Sequence, residues 1–104
     1  MGEKHRYHVI VSEKAKRMLG EHILFLTRVD KNAARKKKNE IMKALRSLQT
    51  MPDRYPFIED EWFPHDLYHK MFVPKWYLII YQIRDNDVYV DYILDCRRDY
   101  DWLR

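Results

Sequence analysis

The chain has 104 residues, 46% hydrophobic and 35% charged, which suits one folded domain with a real core and excludes a disordered chain. Two glycines and four prolines leave little material for a linker, so residues 1–104 read as a single unit. A net charge of +4 favours an anionic partner, either nucleic acid or an acidic protein. The single cysteine, Cys96, excludes an internal disulfide and fits a reducing cytosol. The N-terminus MGEKHRYH leads into no apolar run of signal-peptide length, and no stretch approaches the roughly 18 apolar residues of a membrane span. A cytoplasmic protein with no membrane partner is expected.

Tyr7–Ser12 alternates and is rich in β-branched residues, the signature of a short first strand. Ser12 is placed as a helix N-cap, with Glu13 in the first turn, where the helix dipole favours an acid. Ala15, Met18, Leu19, His22, Ile23, Leu26 and Val29 then recur at three- and four-residue spacing, which predicts an amphipathic helix over 13–29. A second helix restarts at Asp30 or Asn32. Its apolar stripe runs through Ala34, the Lys38 stem, Ile41, Leu45 and Leu48, widened by Met42 and Ala44, and Pro52 ends it. Two helices joined by so few residues form a hairpin. Arg35, Lys36, Lys37 and Lys43 read as a solvated helix face, or as a patch for rRNA phosphates.

Residues 53–66 carry two prolines and several acids and read as a loop. Three strands follow, at 67–74, 76–83 and 87–94, separated by turns at Pro74-Lys75 and Arg84-Asp85-Asn86. The middle run is almost continuously apolar and predicts a central strand. The expected fold is α+β, in the order β-α-α-β-β-β, with the helical hairpin packed on a small, mostly antiparallel sheet.

With "KMFVPKWYLIIYQIRDNDVYVDYILDCRRDY" as its closing meander, the chain resembles the RelE/ParE superfamily, the toxin halves of bacterial type II toxin–antitoxin pairs. The likeness covers nearly the whole chain in layout and is concentrated in residues 68–103. It implies a cognate antitoxin as partner. It also implies one of two targets: the ribosome and its mRNA, cut by RelE-like members, or DNA gyrase, poisoned by ParE-like members without a nuclease site. A metal-independent endoribonuclease that blocks translation is the leading expectation. The gyrase poison, or a degenerate toxin that only binds its antitoxin, is the alternative.

RNA cleavage through the ribose 2′-OH needs cations at the phosphate and a group that moves protons. No metal or other cofactor is expected. The resemblance puts a phosphate-contacting arginine at the end of the last strand, at Arg97, with Arg98 beside it. Tyr100 could donate a proton or stack a base, Trp102 could stack, and Lys70 and Lys75 could add cationic contacts. The catalytic candidates are therefore Arg97, Arg98 and Tyr100, and the substrate-binding candidates Lys70, Lys75 and Trp102. The competing structural reading pairs the arginines with Asp95, Asp99 or Asp101 and packs Trp102 and Leu103 against the core. The sequence departs from ribosome-dependent members at two points. Leu78 follows Tyr77 where those members often carry an arginine, and the chain closes on Trp102-Leu103-Arg104 in place of a late His-Tyr or Tyr. Cys96 is expected to be buried or half-buried, and His65 and His69 are not expected to form a metal site.

Overall fold

The computed structural model of the chain describes residues 6–59, 61, 63–74 and 77–96. The elements are β1 (His8–Val11), α1 (Glu13–Val29), α2 (Lys31–Ser47), a 3-10 turn (Pro52–Arg54), β2 (Tyr68–Val73), β3 (Tyr77–Arg84) and β4 (Asp87–Asp95). This is the expected α+β order, with two helices packed on a four-stranded mixed sheet.

Capping sets the helix boundaries. The Ser12 hydroxyl accepts from the Ala15 N–H at 3.0 Å and starts α1. Asp30 serves both helices: its own N–H closes α1 on the Leu26 carbonyl, and its carboxylate accepts from Asn32 and Ala33 at 2.9 and 3.2 Å. One residue therefore makes the connection, and Asn32 is an interior first-turn residue. α2 ends at Ser47, five residues before Pro52. Leu48 and Gln49 tighten onto the carbonyls of Leu45 and Arg46, and Met51 takes φ 48°. Pro52 thus opens the 3-10 turn and does not itself stop the helix.

The strand order is β1-β4-β3-β2, with β1 parallel to β4 and the other pairs antiparallel. β3 is central, as its apolar run predicts. Asp85 adopts φ 53° in a two-residue β3–β4 turn, a conformation that aspartate tolerates better than most residues.

The main core lies between the helices and one sheet face. Ala15, Ile41, Leu45 and Leu48 meet Met71, Val73, Tyr77, Ile79, Tyr81, Val88, Val90 and Ile93. Complete burial of a side chain such as Ile79 or Ile93 contributes about 1.5–3 kcal/mol each. The Tyr81 hydroxyl donates to the Pro52 carbonyl and ties the 3-10 turn to the sheet. Three stripe assignments differ from expectation. Val29, the last residue of α1, is 73% exposed, Met42 is 38% exposed, and Lys38 is exposed while Lys37 is tucked in beside Tyr77.

β1 pairs with β4 only as far as Val90, which leaves the second half of β4 with an open edge. α1 takes the place of a strand along it. Ser12 donates its N–H to the Val90 carbonyl, and the buried His22 donates Nε2–H to the Ile93 carbonyl at 2.8 Å. The carbonyl can only accept, so this bond fixes the imidazole tautomer.

Candidate functional site

The second face of the sheet carries no helix across it. Alternation sends Tyr68, Lys70 and Phe72 of β2 to this face, with Leu78, Ile80, Gln82 and Arg84 of β3. β4 has a bulge here: Ile80 pairs with Tyr92 while Tyr81 pairs with Val90, so Asp91 is the extra residue. The bulge aims Asp91 onto the same face as Tyr92. There Asp91 Oδ2 accepts from the Tyr68 hydroxyl at 3.0 Å and from Gln82 Nε2 at 2.9 Å, and Arg84 Nε donates to Gln82 Oε1 at 3.0 Å. Burial, then the hydrogen bond and charge of Asp91, push the Tyr68 phenol up to about 12. Tyr68 is a proton donor committed to Asp91, not a base.

This face is not bare. Phe63 sits edge-on to Tyr68 and Tyr92, at centroid distances of 5.4 and 6.4 Å. Ile58, Leu78, Phe63, Tyr68 and Tyr92 pack around the buried trio Met18, Ile80 and Leu94 to make a second, smaller core. Lys14 from the start of α1 lies over the Tyr92 ring at 4.6 Å. The loop before β2 reaches further onto the sheet than the sequence predicts. Ile58 and Lys70 donate to the carbonyls of Tyr68 and Pro56, and Phe57 bridges to His69.

Of the expected site residues, Lys70 is exposed on β2, with Ile80 as its cross-strand partner. Lys75, Arg97, Arg98, Tyr100 and Trp102 lie outside the described residues. β4 ends with Asp95 opposite Tyr77, the first residue of β3. Asp95 itself is buried. Cys96, one residue past the end of β4, is exposed, contrary to expectation. Partial desolvation and the nearby Asp95 charge raise its thiol above the ordinary range.

His69 and Lys70 fall on opposite faces, as alternation requires. His69 is buried, bonded through Nδ1 to the Tyr55 carbonyl at 2.7 Å and stacked on Tyr81 at 5.2 Å, while His65 is exposed in the loop. Among the described residues, no group of three or more His, Cys, Asp or Glu side chains is placed to hold a metal ion.

Sequence reading missed the Tyr68–Asp91–Gln82–Arg84 network. Its signal was present in Gln82 and Asp91, two polar residues inside apolar strand runs, but a strict period of two puts Asp91 and Tyr92 on opposite faces. Only the bulge unites them. A second feature lies on α2. Lys37 bonds Glu40 at 2.6 Å and also the Pro74 carbonyl, and holds the Glu40 carboxyl below its usual range. Arg35, Lys36 and Lys43 are exposed, with no hydrogen bond or ion pair to a described residue.

No helix among the described residues is long and apolar enough to cross a membrane. A search of the curated proteins finds no match. In fold the chain is similar to a chain of a chromosomal ParDE toxin–antitoxin system from P. aeruginosa, with a TM-score of 0.73 and 13% identity over 88% of this chain and 97% of that one. Residues 9–100 match the family model of the ParE toxin of the type II toxin–antitoxin system parDE. That match spans β1 to the segment beyond β4, and the chain therefore belongs to the ParE toxin family of type II toxin–antitoxin systems.

Proposed function

We propose that this toxin acts as a non-enzymatic poison of DNA gyrase, and that mRNA cleavage is not its activity. The observation that carries this reading is the ParE family match over 9–100. The chemistry of the helix-free face supports it. A nuclease needs a group free to take a proton and cations free to meet a phosphate. On this face Asp91 is occupied by Tyr68 and Gln82, Tyr68 holds its proton to about 12, and Leu78, Ile80 and Leu94 form an apolar floor. The buried histidines His22 and His69 are bound to backbone carbonyls.

Within this reading, Arg97 and Arg98 are contacts to the target rather than catalytic groups, with Lys70 and Lys75 as lesser cationic contacts. The antitoxin covers the apolar end of α1, where Leu24, Phe25 and Val29 are 55, 59 and 73% exposed. RelE-like cleavage by Arg97, Arg98 and Tyr100 is the second reading, favoured by the closing "CRRDY". Purified toxin added to a gyrase supercoiling assay separates the two. Inhibition, or trapped cleaved DNA, supports the proposal; normal supercoiling together with cut mRNA on translating ribosomes refutes it.

A further inference from the structure

We infer that the outward face of α2 binds the phosphate backbone of duplex DNA. α2 carries Lys31, Arg35, Lys36, Lys37, Lys38, Lys43 and Arg46 against the single acid Glu40, a larger excess than the +4 of the whole chain. Helix formation does not require it. The four successive cations at 35–38 repel one another, and like charges three or four residues apart weaken a helix. The fold uses Lys37, which bonds Glu40 and Pro74 and lies near the Tyr77 ring. It does not use Arg35, Lys36 or Lys43. These line an open groove with Asn32, Asn39 and Glu40, turned away from the buried stripe of Ala34, Ile41 and Leu45. Glu40, the only acid there, is already paired with Lys37 and offsets little of the field.

The chemistry of the groove selects the partner. A protein docking site needs apolar or aromatic anchors at its centre, and this groove has none. Single-stranded nucleic acid is held by aromatic stacking, which the groove also lacks. Cations interleaved with asparagine amides match the polar, positively charged surfaces that hold duplex backbones. Spacing favours B-form DNA. At about 1.5 Å per residue, Arg35 and Lys43 stand about 12 Å apart along the axis, the width of a major groove. Phosphates on both of its rims are then within reach, and the contact is independent of base sequence.

The test needs no gyrase, so its outcome is separate from the identity of the toxin's target. The full-length toxin is titrated against a fluorescent mixed-sequence 20-base-pair duplex, read by anisotropy, between 50 and 200 mM NaCl. Three neutralised phosphates give a slope of about −3 in log K against log salt, or roughly 40-fold weaker binding across that range. R35Q/K36Q/K43Q should bind at least about tenfold more weakly at 50 mM with a slope near zero, and K36Q/K43Q should show a slope of about −1. K16Q/R17Q/R28Q removes the same charge from α1 and should bind like wild type. Glutamine suits helix interiors, and matched far-UV spectra check that each variant is folded. The inference is overturned if wild type does not bind at 50 mM. It is also overturned if the α1 and α2 variants lose equally, or if polyglutamate of equal charge competes as well as the duplex.

Discussion

Replacing His22 tests the idea that α1 acts as a surrogate strand. His22 is 5% exposed and supplies the hydrogen on the Ile93 carbonyl, on a stretch of β4 that β1 does not reach. His22→Phe keeps a ring of similar size, and with it the tilted contact to Tyr77 at 5.5 Å, but removes the donor. The Ile93 carbonyl is then left buried without its partner, a loss of about 1–3 kcal/mol. Against a total stability of about 5–15 kcal/mol this is a large fraction. For a domain of this size, a loss of about 2 kcal/mol lowers Tm by about 10 °C. His22→Gln retains an N–H donor and should lose less than half as much. Urea unfolding followed by far-UV circular dichroism reads both variants. A His22→Phe protein with the wild-type midpoint and slope would refute the reasoning, because it would mean that the β4 edge does not depend on α1 for its hydrogen bond.

Asp30→Ala removes the shared cap and should cost about 1 kcal/mol by chemical denaturation, while Asp30→Asn should be close to neutral. Tyr81→Phe leaves the Pro52 carbonyl unpaired and should cost about 1 kcal/mol, with faster proteolysis in the 52–66 loop. Burial first of all raises the phenols of both Tyr68 and Tyr81 above the unfolded value near 10. Above that pH the unfolded chain therefore holds fewer protons than the native one, so stability is full below pH 10 and falls as pH rises toward 12. Urea midpoints at pH 9 and 11 measure the fall, which Tyr68→Phe/Tyr81→Phe should flatten. Phe25→Glu should weaken antitoxin binding at least about tenfold in calorimetry with little change in toxin stability, since Phe25 is 59% exposed.

The order of elements could be read from the sequence because local signals agreed with one another. Ser12 and Asp30 are strong caps, the stripes 15-18-22 and 34-41-45 keep a helical period, and the apolar density of 77–83 marks a central strand. What could not be read depends on tertiary geometry. The bulge that turns Asp91 toward Tyr68 exists only because β3 and β4 shift register at Ile80/Tyr81. Val29 has the right spacing for the core stripe, yet as the last residue of α1 it is exposed. Of the two buried histidines, His22 falls on the apolar stripe of α1, while His69 reads only as a polar residue at a loop-to-strand junction. Each serves a backbone carbonyl donated by a distant segment, Ile93 for His22 and Tyr55 for His69, and nothing local to either histidine announces that partner.

The family match moves the target expectation as well. The superfamily resemblance put mRNA cleavage first, while the ParE match over 9–100 and the occupied polar groups of the helix-free face favour gyrase. Purified toxin placed in parallel with gyrase and relaxed plasmid, and with translating ribosomes and labelled mRNA, tests this most directly. The gyrase account predicts blocked supercoiling or accumulated cleaved DNA, with the mRNA intact. Cleaved mRNA with unimpaired supercoiling would contradict it.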